Sequence, residues 1–426
     1  MSASPPSKVR RRAASTARML RIETDPQHHL AGPFLPQTPV GDMGGYESPM
    51  SPIVARRKMQ ATSKNGLWSD IKTLRWAVEP SSSFKLLLIP VVLYVNWELL
   101  APYIAKDLPN PFAPLMFISH HIPTSPASDP RYAKGYLDLL FLAYYIIFFS
   151  FVRQVVTVTI FRRIGKYFGL RKRSKLDRYG EQGYAMFYFG VMGLWGVRIM
   201  SQHPTWWFNT EYYWINYPHW DMQPELKCYY LMQASHWIQE LLVLIMGLEK
   251  PRKDYAELVA HHIVTLWLIG WSYLVNMTLI GNAVYLSMDL PDSFLAAVQF
   301  SKLLNYMRYD RAKSVSFAIF VVLWTYFRHW KNLVILWSVW FEFDLIPDQS
   351  KQWLPEAGVW MTWWMQYQIF FPIFMLQLLN CFWYFLILRI LIRSFTAELD
   401  DSRSDDEGDG GETEDEQAKK KVQRKK

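Results

Sequence analysis

Eight stretches of mainly apolar residues, each near the length that crosses a bilayer, leave this 426-residue chain few ways to fold. A helix needs about 20 apolar residues to span roughly 30 Å of hydrocarbon. In hydrocarbon every backbone N–H and C=O must be satisfied within its own segment, which favours helices. The stretches fall at 84–105, 136–161, 183–200, 229–248, 257–279, 281–301, 314–341 and 362–392. They predict an all-α polytopic membrane protein. Composition agrees, with 16% aromatic and only 19% charged residues, against about 25% charged in soluble domains. The mean hydropathy of −0.03 looks ordinary because polar ends dilute an apolar middle. Two cysteines, Cys228 and Cys381, exclude a disulfide scaffold and a Cys-rich metal fold.

The connections carry a charge alternation that orients the spans. Basic residues crowd 162–182, 249–256 and 302–313, for example Arg171, Lys172 and Arg173, or Lys250, Arg252 and Lys253. The loops 106–135, 201–228 and 342–361 are poor in Lys and Arg and rich in Pro, Trp and acids. Basic loops stay cytosolic, so both termini are expected in the cytosol. Residues 1–83 hold 12 Lys/Arg against 6 Asp/Glu, and the first 60 lack any helical or strand period. No apolar core follows the Lys8–Arg12 cluster, so no signal peptide is expected there. With spans downstream, Arg10–Arg12 reads as a topology anchor rather than a nucleic-acid patch. The end is acidic over Asp400–Glu416 and then basic. Ser402 and Ser404 there have acids at +3, which suits either acid-directed phosphorylation or a plain solvated tail.

Ionisable side chains inside apolar spans are costly and therefore informative. The fifth span carries His261, His262 and Thr265. His261 and Thr265 share a face at i and i+4, and His262 points about 100° away. The sixth carries Asn282, Tyr285, Asp289, Asp292, Gln299 and Lys302 along one stripe. The fourth adds Gln233, His236 and Glu240. Interhelical hydrogen bonding accounts for Gln233, Asn282 and Thr265. It accounts poorly for a His pair with two carboxylates, which are an expensive way to join helices.

The chemistry narrows by exclusion. No two of the ten histidines are spaced as HxxH or HxxxH, and adjacent ring positions on a helix diverge, so no metal site is expected. There is no GxSxG elbow. What remains is a buried His oriented by a carboxylate, acting as base or nucleophile in acyl transfer or proton abstraction. A thioester is a fitting donor because its thiolate leaves readily, and a cytosolic rim of Lys and Arg suits the phosphates of coenzyme A. Measured from the cytosolic helix ends, His261 and the carboxylates meet only with tilt or a bend at Pro291. That argument favours Asp292 as the partner of His261, with Asp289 in support or binding an amine.

The run from His261-His262-Ile-Val-Thr265 through Met288-Asp289-Leu-Pro-Asp292 to Ser301-Lys302-Leu-Leu-Asn305-Tyr306 closely resembles the longevity-assurance motif of ceramide synthases. Glu249–Asp254 and Trp214–Trp220 resemble the fungal branch, and 106–135 is too short for the homeobox-like insert of many animal members. The resemblance implies a TLC domain over 175–395, its six spans forming a helical barrel around a membrane cavity. Two further spans would occupy 84–174, and polar tails 1–83 and 396–426. It implies an endoplasmic-reticulum enzyme that N-acylates a sphingoid base with fatty acyl-CoA, its co-substrate. It also implies a small single-span regulatory subunit, homo- or hetero-dimers, and no nucleic acid. The catalytic set it carries over is His261, His262, Asp289 and Asp292, with the first His as acyl acceptor. Around these, His236, Glu240, Tyr285, Lys302 and Arg308 are candidates for the substrate cavity. Chain-length choice in the family tracks the loop before the last span, here 342–361, and resemblance to fungal members points toward very long chains. The alternative is a non-catalytic lipid-binding or lipid-transport protein on the same fold. Relatives of that kind lack the full His-His and Asp-x-x-Asp set.

Overall fold

The computed structural model describes residues 66–104, 108–171, 173–246, 255–303 and 310–396. Residues 1–65 and 397–426 and parts of the basic loops at 249–256 and 302–313 lie outside these residues, whereas 66–83 of the expected N-terminal tail is described. The chain is helical. A short helix α1 (Leu67–Lys72) precedes α2 (Pro80–Ile104) and α3 (Asp138–Tyr167). Then follow α4 (Arg173–Ser201), α5 (Pro224–Ile245), α6 (Tyr255–Leu274) and α7 (Thr278–Leu303). The next rod is α8 (Asp310–Trp324), a π-helical turn (Thr325–Lys331) and α9 (Asn332–Phe341) in sequence, and α10 (Met365–Thr396) ends the bundle.

Each expected span thus coincides with a helical rod, but some ends move. The third starts ten residues earlier than hydropathy suggests, because Arg173–Gln182 is polar yet rich in good helix formers. Among the described residues, three helices are long and apolar enough to cross a membrane by length and composition: Pro80–Ile104, Asp138–Tyr167 and Met365–Arg389. The rods between α3 and α10 carry the buried polar residues described below, and one of them is divided by the π turn. The chain is therefore a membrane protein, and Leu99, Tyr103 and Ile104 of α2 are exposed.

Packing brings α7 along α4, α3 along α5, and α10 against both α6 and α9. Small residues let α4 and α7 approach, since a Cβ at Gly193 would lie 3.0 Å from Leu290 Cδ2. Pro224 at the first turn of α5, after an extended Gln223, starts that helix without wasting a donor. The polar loops are pinned rather than trailing. Tyr132 and Met222 exchange both backbone hydrogen bonds at 2.9 Å. Beneath them Lys227 Nζ, fully buried, sits 2.7 Å from Asp138 Oδ1 and donates to the carbonyls of Ser119 and Ala133. Asp138 Oδ2 accepts from Tyr273 Oη at 2.8 Å. One buried ion pair therefore ties α3, α5, α6 and the first loop together.

The turn joining α6 to α7 is only Val275-Asn276-Met277. Asn276 takes the left-handed conformation at φ 62°, which Asn tolerates better than most residues. So short a turn fixes the register of the two helices that carry the His pair and the carboxylates.

Candidate active site

Register settles the heights. Counted from the α6–α7 turn at 1.5 Å per residue, His261 stands ~20 Å from Leu274, and Asp289 and Asp292 stand ~17 and ~21 Å from Thr278. All three are level. The need for a bend at Pro291 disappears, because α6 and α7 end at different heights on the other side. Helix α7 is assigned unbroken through Pro291.

His261 is 1% exposed and is walled by aromatic rings. Trp237 of α5 and Trp383 of α10 present edges at 6.1 and 5.7 Å between centroids. Its Nε2 lies 3.1 Å from Thr265 Oγ1, the i+4 neighbour expected from the sequence. His262 turns away, as helical geometry requires. Its Nδ1 is 2.9 Å from the Leu258 carbonyl, which can only accept, so Nδ1 carries the proton and Nε2 is the basic nitrogen of the neutral ring.

Below His261 lies an apolar pocket that is open at its mouth. His261, Thr265, Tyr285 and Asp289 line it, with apolar walls from Ile269, Val284, Ile369 and Ile373. Such a space suits an aliphatic chain. Asp289 is 1% exposed. Its Oδ2 accepts a hydrogen bond from Gln233 Nε2 at 2.6 Å. Gln233 also donates to Tyr229 Oη at 3.0 Å and accepts from Tyr188 Oη at 2.8 Å, so its amide is fully used in holding the carboxylate. Asp289 Oδ1 is buried with no hydrogen-bond partner among the described residues, leaving it for a bound group.

Asp292 has another occupation, which corrects the pairing expected from sequence. Its Oδ2 is 2.5 Å from a guanidinium nitrogen of Arg328, both side chains buried. Arg328 also donates to Asn380 Oδ1 at 3.0 Å and to the Met288 carbonyl at 3.2 Å, and lies 4.2 Å over the Trp324 ring. Asp289, rather than Asp292, shares the cavity wall with His261. The two carboxylates project about 60° apart on one helix, enough to give them separate partners. Sequence reading passed over Arg328, although Arg328, His329 and Lys331 inside an expected span were a visible signal.

Of the other expected cavity residues, Tyr285 lines the cavity. His236 does not. It stacks on Tyr188 with centroids 3.5 Å apart. Glu240 faces Arg153 of α3 at 3.7 Å, another pairing the sequence did not offer. Arg308 and the side chain of Lys302 lie outside the described residues.

A membrane helix bundle that buries histidine and carboxylate on the wall of an apolar cavity is the site of an integral-membrane enzyme acting on lipid. The TLC domain family matches residues 178–389. The chain is 42% identical over 345 residues to Sphingosine N-acyltransferase lac1 of Schizosaccharomyces pombe, covering 78% of this chain and 83% of that protein. It is 39% identical over 323 residues to Ceramide synthase LAG1 of Saccharomyces cerevisiae, covering 74% of each. ASC1-like protein 1 of Oryza sativa is 29% identical over 65% of this chain and 91% of its own. The chain belongs to the TLC-domain family of ceramide synthases.

Proposed function

We propose that this protein is a ceramide synthase, a sphingosine N-acyltransferase that joins a sphingoid base to the acyl group of fatty acyl-CoA. The observation that carries this reading is His261 and Asp289 on the wall of one buried apolar cavity, in a chain closely related to such enzymes. The cavity takes the acyl chain, and His261 and Asp289 take the reacting ends.

In the reading we favour, a neutral ring nitrogen of His261 attacks the thioester carbonyl. The C–S bond breaks, the acylated ring sheds its N–H proton, and the CoA thiolate takes up that proton and leaves as the thiol. The sphingoid amine then attacks the acyl-imidazole, the C–N bond to His261 breaks, the leaving ring takes back a proton given up by the amine nitrogen, and the amide leaves. Asp289 Oδ1 takes the amine's ammonium form and then its proton. In the competing reading His261 is a general base during direct attack of the amine on the thioester. Rapid-quench measurement of CoA release without sphingoid base separates the two. A burst, with one acyl mass on a peptide containing His261, supports the covalent route. Release only after base is added supports direct attack. Failure of purified protein to make any amide from labelled acyl-CoA and base would leave a lipid-binding role and sink the enzyme reading.

His262 supports the His261 end of α6 through its ring proton on Leu258. Asp292 with Arg328 holds α7 against the α8–α9 rod. Eight crossings, an endoplasmic-reticulum location, cytosolic termini, a single-span partner and dimers complete the proposal. The charge alternation of the loops supports the topology.

A further inference from the structure

Tyr230 of α5 lines the cavity between His261 and the α6–α7 turn, and its ring is 1% exposed. Tyr230 Oη hydrogen-bonds Ser272 Oγ of α6, and Ser272 Oγ in turn lies within bonding distance of the Leu268 carbonyl. The serine proton goes to that carbonyl, so the tyrosine proton goes to the serine, and the clasp has one consistent polarity. The Tyr230 ring also stacks on Tyr273 at 5.7 Å and meets Tyr285 edge-on at 5.3 Å. Behind it on α7 is Gly281. A Cβ there would lie 2.1 Å from Tyr230 Oη, so the tyrosine fills space that any other residue at 281 would claim.

The position of this ring is fixed relative to the reacting groups. Ser272 is eleven residues along α6 from His261, ~16 Å, and Gly281 is eight along α7 from Asp289, ~12 Å. Beyond it lie Val275, Met277 and Ile280, roughly one further turn of wall. That end is shut by Tyr217 Oη on the Val275 carbonyl at 2.7 Å and by Asn276 Nδ2 on the Gly358 carbonyl at 2.8 Å. A tube with apolar walls distinguishes chains by methylenes, and a rigid obstacle in it converts length into a clash.

We propose that Tyr230, clasped by Ser272 and backed by Gly281, is the stop that sets how long an acyl chain the cavity accepts. This rests on the reading of the cavity as the acyl site.

The test uses the full-length protein in membranes, one sphingoid base and an equimolar ladder of saturated acyl-CoAs, with product lengths read by mass spectrometry. Tyr230→Ala removes the stop, so the ratio of products from donors two carbons longer should rise about fifteenfold, each buried methylene contributing a factor of roughly four. Tyr230→Phe keeps the ring and loses the clasp, and should broaden the distribution without moving its centre far. Gly281→Ala drives the ring into the tube and should shift products toward shorter chains. Opposite shifts from two neighbouring sites do not arise from general damage. An active Tyr230→Ala with an unchanged distribution overturns the stop. If Tyr230→Ala fails to accumulate, Tyr230→Leu and Ser272→Ala carry the same test, and unchanged lengths in both overturn it equally. Absence of any amide from the wild type would instead overturn the acyltransferase reading beneath it.

Discussion

Asp289 and Asp292 stand three residues apart on α7, yet their surroundings give them different work. Asp289 is held from behind by Gln233 and faces the cavity, whereas Asp292 is paired with Arg328. In the proposed mechanism the His261 ring supplies the reacting nitrogen, so removing it should abolish acyl transfer without changing accumulation, because the cavity walls remain. Activity of His261→Ala above a thousandth of wild type in purified protein would contradict its role. Arg328→Met should behave differently. It leaves a buried carboxylate uncompensated, a loss of about 3–5 kcal/mol. The variant should unfold at lower temperature in detergent, and Arg328→Met with Asp292→Leu should recover most of that loss. A single variant as stable as the wild type would mean that the pair contributes little. Asp289 was legible in the sequence as a buried acid, and so was Asp292. Which one faces the cavity was not legible, because 60° of rotation about a helix has no meaning until its neighbours are placed.

At the scale of elements, π turns and buried ion pairs do the positioning. The turn Thr325–Lys331 carries Arg328 inside the bundle, and π turns of this kind shift every side chain that follows. No pattern of apolar residues announces it, since period and hydropathy are nearly the same with or without one extra residue. The Lys227–Asp138 pair belongs to the same scale. It ties α3 to α5, and through Tyr273 to α6. Asp138→Asn strands the ammonium of Lys227 and should cost about 3–5 kcal/mol. Thermal unfolding followed by tryptophan fluorescence would reveal it, and equal midpoints for variant and wild type would refute the staple. The helix α4 shows the opposite case, where helix propensity was readable in Arg173–Gln182 but hydropathy alone hid it.

Across the whole molecule, the loops opposite the basic side are folded onto the bundle, and two histidines within them report on it. Burial holds His203 and His219 below the ordinary imidazole value of 6.5. The unfolded chain then binds more protons than the folded one once pH falls below about 6.5. Stability is full above that value and should decline as pH drops through it toward the lowered folded pKa values. Unfolding midpoints measured across this window would show the decline, and a flat profile that persists in the double His203→Gln, His219→Gln variant would argue against it. Topology is a second prediction at this scale. Tags at residue 5 and residue 420 should be digested in sealed microsomes, and tags near Ser125 or Gln349 protected. Protection of either terminus would break the eight-span reading.

The amino-acid sequence by itself determined that this chain lives in a membrane, where its helices lie, and which ionisable residues inside them are candidates for chemistry. Each follows from a local cost: unsatisfied backbone in lipid, or a charge in hydrocarbon. Tertiary structure decided which carboxylate faces the cavity, what holds the other, and which rings line the cavity's far end. Those depend on pairs far apart in the chain, Asp292 with Arg328, Gln233 with Asp289, Tyr230 with Gly281. A contact between distant residues is a fact of register and rotation, and these are fixed only when the helices pack.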